Sequence, residues 1–449
     1  MVLAWAAILG AALLGLPVQA VAVGAILGFL LLELGTASRI TRVHLAAGGI
    51  LAAAVLLISE TAGSDLLAAA FRASFIMVLF ASLGMLQTAV MRIKAFIEAG
   101  EMLVRQPPGR QYFALAGGTT LFGAVLNFGV LPLMGGLVKA ARSQGPDQSP
   151  GEASPDAGHA LRERRIMLAM LRGFSVLMFW CPLTVAYAIT TTTIEGLDWR
   201  IMALAGAVLA ALVIWLGSFF DKAPSRPAAA RADTRFDWAA LGPILALLVL
   251  LSLLAASVDA ATPGGLVHGV ILFVPLTALA LLAWFEPKRA RARVTQYLGS
   301  DVATQRNEVA VLGNAAFSGA LIAALLPQDA LLTGPGALLP IVLLPALCLW
   351  LVVLLGQTGI NPLISVAALS AILSDPAPLG LNPTLLGLAL VTGWGLTVGS
   401  SSAAAATMSV GRLTDRTAWQ VGTIWNGRFT LIASMVAGAA ITALSLALA

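Results

Sequence analysis

The sequence predicts an all-α polytopic membrane protein, and three observations carry that prediction. Of 449 residues, 59% are hydrophobic and only 10% are charged, whereas a soluble domain carries about 25% charged residues. Apolar runs near the ~20 residues that cross the hydrocarbon core recur along the whole chain. Because backbone groups in lipid must be satisfied within the segment, we expect these runs to be helices. The short alternating segments of outer-membrane strands do not occur.

About eleven of the runs are long enough to be full spans. The expected spans are 2–17, 18–36, 43–59, 66–90, 166–193, 199–220, 238–257, 265–285, 307–327, 383–411 and 420–448. The first run is followed by small residues, Val18 to Ala22, that a signal peptidase could accept. It lacks the basic region that precedes the apolar part of a signal peptide, so we expect a retained span.

The distribution of charge predicts the orientation of these spans. With the N-terminus inside, the interior loops collect most of the lysines and arginines, while the exterior loops carry Glu60, Asp65, Glu195, Asp198, Asp259, Asp329 and Asp375. The positive-inside rule then places the N-terminus in the cytoplasm and the C-terminus in the periplasm of a bacterial inner membrane. Topology therefore explains the net charge of +5, and we expect membrane lipid rather than nucleic acid as the surrounding partner.

Two further apolar regions predict re-entrant hairpins. Region 112–138 has basic residues on both flanks, so both of its ends should lie inside, with a turn at 123–129. Region 337–373 is too long for one span, and Gly356 to Pro362 at its centre predict a turn entered from outside. Two ordinary short spans joined by a tight turn remain an alternative for this region.

The two halves of the chain correspond, with residues 1–220 and 238–449 predicted as inverted repeats joined by a cytoplasmic linker at 221–237. In each half a hairpin is followed by a broken span and then a tryptophan. The number of residues from the hairpin to the tryptophan differs between the two halves. This difference equals the difference in length between the loops 144–165 and 375–382. Inverted repeats with interrupted helices are typical of secondary transporters with a midplane binding site.

Segments 91–110 and 286–306 mix apolar and charged residues in a pattern typical of helices that lie at the inner interface. We therefore expect two interfacial arms, one in each half.

Each long span that follows a hairpin contains a predicted break. Pro182 removes a helical hydrogen bond from 166–193, and Gly393 to Ser402 interrupt 383–411. Unwound backbone at membrane depth is tolerated only where it lines a cavity. Its free carbonyls suit a cation and its half-helix N-termini suit an anion.

The candidate substrate- and ion-binding residues lie at these breaks and at the hairpin tips. They are Asn127, Cys181, Thr184, Gln357, Thr358, Asn361, Thr397, Ser400, Ser401 and Ser402. The alternative interpretation is that the small and hydroxyl residues only pack helices together. The tip asparagines are the strongest candidates, because an amide at membrane depth is costly unless it is used.

No aspartate or glutamate occurs in either hairpin or broken span, which disfavours an antiporter built around a buried carboxylate. Sodium held by neutral oxygens at Asn127 and Asn361 fits better, and no other metal or cofactor is expected. Cys181, Cys348 and three scattered histidines assemble neither a disulfide framework nor a metal cluster. Membrane enzymes usually gather histidine and acidic residues, so we expect no catalytic residues.

Four arginines lie in or at predicted spans; Arg200 is at the interface, and the other three are Arg72, Arg172 and Arg428. Arg172 and Arg428 are about two turns from the inner face and can snorkel to it, while Arg72 can pair with an acidic neighbour. Any one of the three could instead neutralise a carboxylate on a solute.

This arrangement resembles the ion transporter superfamily, most closely its divalent anion/sodium symporters and their arsenite-pump and tripartite-carrier relatives. Those symporters carry Ser-Asn-Thr at their hairpin tips. Here the tips read Leu126-Asn127-Phe128 and Ile360-Asn361-Pro362, so only the asparagine matches. The resemblance implies a homodimer with scaffold spans at the interface and an elevator-like movement of hairpins and broken spans.

The expected function is secondary active transport of a small anion, coupled to sodium or protons. Alternatives are the membrane subunit of a carrier that depends on a periplasmic binding protein, a membrane-embedded enzyme and a channel.

Overall fold

The computed structural model describes residues 1–14, 18–143, 157–221, 237–261, 265–326 and 340–448. Throughout these ranges the regular structure is helical and contains no strand. The all-α class is therefore confirmed. The predicted linker, apart from Asp221 and Asp237, lies outside the described residues, as do the start of the second predicted hairpin and most of loop 144–165.

The first half contains ten helices in the described residues. They are α1 (Val2–Leu14), α2 (Gln19–Glu33), α3 (Arg39–Ile58), α4 (Ala62–Val90), α5 (Lys94–Val104), α6 (Pro108–Leu126), α7 (Val130–Ser143), α8 (Ala157–Trp180), α9 (Val185–Thr193) and α10 (Trp199–Ser218). The helices α1 and α2 have 13 and 15 residues, shorter than the full spans expected there.

The second half repeats much of this order in the part of the chain that is described. Its helices are α11 (Gly242–Ala261), α12 (Gly265–Phe285), α13 (Ala290–Gln296), α14 (Val302–Thr304), α15 (Arg306–Leu325), α16 (Leu344–Gln357), α17 (Pro362–Ile372), α18 (Pro383–Val398), α19 (Ala405–Thr414) and α20 (Gly427–Leu448). The π-helical turns Tyr297–Asp301 and Gln420–Trp425 precede α14 and α20.

The protein is a multi-pass membrane protein. Nine helices of the described ranges, each with at least 18 residues, are long and apolar enough to cross a bilayer, counting α6–α7 and α8–α9 as one each. Large apolar side chains point away from the bundle, with Leu32 84%, Leu57 87% and Trp284 81% exposed. A water-soluble monomer does not expose so much apolar surface, so this surface faces lipid.

The helices α4 and α15 pack against each other. In addition, α3 packs on α15, and α12 packs on α4. Polar side chains fix this contact. Asn314 donates its amide to the carbonyl of His44 at 2.7 Å, and the Asn307 side-chain oxygen accepts from the Thr41 hydroxyl at 2.9 Å. These bonds satisfy groups that would be costly to leave unpaired inside a bundle.

Two short segments lie beside the spans. The helix α5 is amphipathic and buries Phe96 and Leu103, so that it lies against both α6 and α7. In the second half α13 and α14 follow α12, and the Tyr297 hydroxyl between them donates to the carbonyl of Ala81 in α4. Along the chain, α5 directly precedes the first hairpin, whereas α15 separates α13 and α14 from the second.

Candidate functional site

The chain reverses between α6 and α7. Gly100 of α5 lies beside both helices, because a Cβ there would be 2.6 Å from Leu137 Cδ1 and 4.0 Å from Phe122 Cε1. A straight helix would separate residues 122 and 137 by roughly 22 Å. The reversal occurs at Asn127, whose φ of 49° and ψ of −132° place it in a positive-φ region that residues other than glycine rarely adopt.

The tip of this hairpin lies deep in the bundle. The ring of Phe128 packs 6.4 Å from Phe80 and 5.2 Å from Phe174, and Gly129 lies against the amide of Gln87. Phe80 is about ten residues, or ~15 Å, from the end of α4. Asn127 is half-buried, and its side chain makes no hydrogen bond to any residue that the structure describes.

The first interrupted helix ends at Trp180 and restarts at Val185. The buried Tyr187 hydroxyl donates to the freed carbonyl of Phe179 at 2.8 Å. The Thr184 hydroxyl donates to the carbonyl of Cys181 at 3.0 Å and accepts from the amide of Tyr187 at 3.4 Å, so it caps α9. The protein itself thus satisfies much of the polar backbone at the first break.

The second hairpin turns between Gln357 and Pro362, with Gly359 at a φ of 94°. The side-chain oxygen of Asn361 accepts from the amide of Leu363 at 3.0 Å, which makes it the N-cap of α17. The Thr358 hydroxyl donates to the carbonyl of Leu355 at 2.7 Å.

This tip is hydrogen-bonded to the second break, where α18 ends at Val398. The Gln357 amide donates to the Ser400 hydroxyl at 2.9 Å, and the Ser401 hydroxyl donates to the carbonyl of Gly356 at 2.6 Å. Gln357 is exposed, whereas Ser400 and Ser401 are buried.

Thr397 completes the contact with the hairpin. Its hydroxyl donates to the carbonyl of Val352 at 3.3 Å and of Gly393 at 2.8 Å. Its methyl group packs so closely that a Cβ on Gly356 would be 2.1 Å away. We call Gln357, Thr397, Ser400 and Ser401 the break cluster.

A buried arginine that the sequence analysis placed two turns from the inner face, within reach of it by snorkelling, is linked to the same break. Arg172 is 3% exposed, and its Nε donates to the Asn426 side-chain oxygen at 3.0 Å and its Nη1 to the carbonyl of Gly217 at 3.0 Å. Its guanidinium lies 4.3 Å from the centre of the Phe429 ring. The helices α10 and α18 each pack against both α8 and α20, which encloses this side chain and prevents snorkelling.

Asn426, Ser175 and Tyr187 belong to the breaks but were not among the sequence candidates. Asn426 donates its amide to the carbonyl of Gly399 at 2.9 Å. In the sequence its signal is a single amide near the start of an apolar span. In the structure a π-helical turn precedes it. Ser175 and Tyr187 leave no comparable signal, because serine and tyrosine are ordinary residues of packed membrane helices.

The two interrupted helices meet at Gly395 and Gly399. A Cβ on Gly395 would lie 2.3 Å from the carbonyl oxygen of Ser175, and one on Gly399 would lie 2.3 Å from the Ser175 hydroxyl. Only glycine permits this approach of α8 and α18.

The predicted site residues thus fall into three places. Gln357, Thr397, Ser400 and Ser401 form one bonded cluster, with Ser402 half-buried just beyond it and Thr358 and Asn361 at the adjoining tip. Asn127 lies at the other tip, and Cys181 and Thr184 at the first break. The described residues contain no group of three or more histidine, cysteine, aspartate or glutamate residues that could hold a metal ion.

Comparisons with known proteins give similarity to solved structures. No family model and no curated protein matches this sequence. Among solved structures, the chain is similar to the YdaH transporter of Alcanivorax borkumensis, a protein described as having an unusual topology. The two share 15% sequence identity, with 81% of this chain and 84% of that chain covered and a TM-score of 0.49. What this chain binds must therefore be inferred from its own residues.

Proposed function

We propose that this protein is a secondary active transporter that carries a small anionic solute across the bacterial inner membrane, coupled to sodium or protons. The observation that carries the proposal is the contact between the second hairpin tip and the second break, through Gln357 and Ser400. A hairpin tip bonded to an interrupted helix places polar side chains and free helix ends together within a membrane bundle. Such an arrangement is costly in lipid unless it lines a solute path.

The order of elements supports alternating access. A helical hairpin, an interrupted helix and a continuous helix follow one another twice, as α6 to α10 and as α16 to α20. The second helix of each hairpin packs on the interrupted helix of the other half, α7 on α19 and α17 on α9. Together with the opposite entry sides that the loop charges predict, this is the pattern of inverted repeats in secondary transporters. An elevator-like movement of these elements against α3, α4, α12 and α15 follows from the resemblance.

The second break supports an anionic solute. The helix α19 begins at Ala405, and no side chain caps its first amides, in contrast to α9, which Thr184 caps. Uncapped amides at a half-helix N-terminus, with the hydroxyl of Ser402 nearby, favour a negative group.

Sodium fits the neutral oxygens of the two tips. The Asn127 amide oxygen has no hydrogen-bond partner in the described structure, and Asn361 uses its oxygen once, for Leu363, leaving a lone pair. No carboxylate occurs in either hairpin, in residues 166–193 of the first interrupted helix or in the second interrupted helix, so a proton would need another carrier.

The test is uptake of labelled carboxylates into proteoliposomes under an imposed sodium or proton gradient. We expect gradient-dependent uptake that Ser400→Ala and Gln357→Ala reduce severalfold. Ser257→Ala is the matched control, because this exposed serine of α11 donates only within its own helix. Uptake that no gradient drives, or that all three variants retain equally, would contradict the proposal.

The same assay separates the second candidate, a carrier subunit that needs a periplasmic binding protein. That protein would be silent alone and active when periplasmic extract is added. Cross-linking between copies in the membrane tests the homodimer that the resemblance implies.

A further inference from the structure

A second polar place lies away from the breaks. A cleft of about 230 Å³ opens between α4, α9, α12, α15 and α17. Thr193, the last residue of α9, and His268, in the first turn of α12, line it. The cleft is thus at the bundle end predicted to face the periplasm. Ile189, the lining residue of α9 nearest to the first break, lies four residues past the start of α9 at Val185, a rise of roughly 6 Å.

Arg72 supplies the positive charge of this cleft. It lies about ten residues, or ~15 Å, into α4, lines the cleft and is exposed to it. Its guanidinium makes no ion pair and no hydrogen bond within the described residues. A charge inside a membrane span normally faces a partner or a functional path, and here no protein partner is present among the cleft-lining side chains.

Two acidic residues at this end are engaged elsewhere. Asp259 accepts from Arg200 at 2.8 Å and from the indole of Trp199 at 2.9 Å. Asp65 accepts from the hydroxyls of Ser59 at 2.7 Å and Thr61 at 2.9 Å. None of these carboxylates lines the cleft, so they do not neutralise Arg72.

The rest of the lining is partly polar and partly apolar. Thr193 carries a hydroxyl that donates to no described residue, and Thr192 adjoins it. Much of the remaining lining is apolar, with Phe71, Phe75 and Ile189 in it. A guanidinium binds a carboxylate through paired hydrogen bonds, while apolar walls penalise a second unpaired charge.

We propose that the Arg72 cleft binds a small monocarboxylate with an apolar body, the carboxylate on Arg72 and the body against Phe71 and Phe75. One free cation matches one negative charge. A volume of about 230 Å³ is below the ~300–1,000 Å³ of pockets for drug-sized ligands, so the solute is small. This deepens the proposed function, on which it rests only for the idea that the bound solute continues to the break cluster.

Equilibrium binding to the purified full chain tests the cleft without any gradient. The probes are benzoate, its neutral analogue benzamide and the dicarboxylate phthalate. We expect benzoate to bind most tightly. Arg72→Gln should weaken benzoate binding about tenfold or more, the loss of a charge-assisted pair of hydrogen bonds, and Arg72→Lys should weaken it less. Arg428→Gln is the control, because that arginine is exposed on another span.

A second variant distinguishes loss of binding from misfolding. Ala320 is half-buried at the cleft, so Ala320→Phe fills the space and leaves Arg72 in place. It should abolish benzoate binding while leaving the melting temperature close to that of the wild type. Benzoate binding that survives both Arg72→Gln and Ala320→Phe overturns the proposal, as does equal affinity for benzamide.

Three further outcomes also test the proposal. If mass spectrometry finds phosphatidylglycerol retained in an Arg72-dependent manner and benzoate fails to bind, the cleft is a lipid site and the proposal is wrong. Arg72-dependent benzoate binding without any uptake would uphold the cleft and defeat the transport function. Uptake in which Arg72→Gln leaves KM unchanged and benzoate fails to compete would do the reverse.

Discussion

The side-chain amide of Asn426 donates to the carbonyl oxygen of Gly399 at 2.9 Å. The same side chain accepts from Arg172 at 3.0 Å. One amide therefore satisfies a carbonyl that the end of α18 leaves free and a buried guanidinium of α8. The relationship ties the geometry of the second break to a charge in the first half of the chain.

Asn426→Leu should destabilise the fold by about 3 kcal/mol or more, because it leaves the Nε of the buried Arg172 without its acceptor. Arg172→Gln, which leaves only neutral groups, should cost less, roughly 1–3 kcal/mol. The measurement is thermal unfolding of the two single variants and the double variant. A coupling of at least about 0.5 kcal/mol is expected, and strictly additive changes would show that the bond contributes nothing.

The close approach of α8 and α18 predicts a selective rescue. Gly399→Ala and Gly395→Ala should each lower stability by about 1–3 kcal/mol through overpacking. The new methyl of Gly399→Ala meets the Ser175 hydroxyl, whereas that of Gly395→Ala meets the Ser175 backbone oxygen. Ser175→Ala should therefore restore the melting temperature of the first variant and leave the second unchanged.

Gly28→Ala of α2 is the matched control, since nothing lies within 4 Å of the added carbon. It should be neutral or slightly stabilising. Equal rescue of both variants by Ser175→Ala would mean that the contact is not as close as the structure has it.

The fold class followed from composition, because lipid exposure selects helices whatever their sequence in detail. Pro182 lies in the four residues between α8 and α9, which is a local consequence of its missing N–H. The Arg172–Asn426 bond joins residues 254 apart in the chain, and only the packing of α10 and α18 against both α8 and α20 brings them together. Local pattern carries no information about such a pair.

The candidate site shows the same division. Polar residues at the breaks follow from the need to satisfy free helix ends, and Thr184 and Asn361 do so as N-caps. A cap and a ligand use the same residue types, so sequence alone cannot separate the two roles. The Arg72 cleft depends on five helices from both halves, and its lack of an acidic neighbour is visible only once these are packed.

The arms predict a dependence of stability on pH. Arg293 donates to Glu286 at 3.0 Å, and this hydrogen bond, with the charges of Arg293, Arg92 and Arg289, holds the pKa of Glu286 below its ordinary value of 4.5. A lowered folded-state pKa stabilises the fold above the unfolded pKa, and this contribution disappears as pH falls through the folded pKa. Glu286→Gln should therefore lower the melting temperature at pH 7.

The difference between Glu286→Gln and the wild type should vanish as the pH falls below about 4.5. Glu60→Gln, at an exposed residue at the opposite end of the bundle, should show no such convergence. A constant difference from pH 7 to pH 3 would show that the effect comes from side-chain shape rather than charge.

The two tip asparagines predict different behaviour when the cap and the amide are separated. Asn361→Ala removes both the N-cap of α17 and the amide, whereas Asn361→Ser keeps a capping oxygen, which loses little stability. If Asn361 only caps, Asn361→Ser should retain uptake and its sodium dependence. If the amide oxygen holds sodium, Asn361→Ser should raise the sodium concentration needed for half-maximal uptake severalfold with little change in melting temperature, and we expect this second result.

Asn127 has no such ambiguity, because its side chain bonds to no described residue. Asn127→Asp keeps an oxygen in the same position and adds a charge, so it should preserve or tighten sodium dependence, while Asn127→Gly, which the positive φ favours, should lose it with the fold intact. Uptake that is independent of sodium in the wild type, or unchanged in Asn127→Gly, would remove sodium from the first tip and leave the proton as the coupling ion.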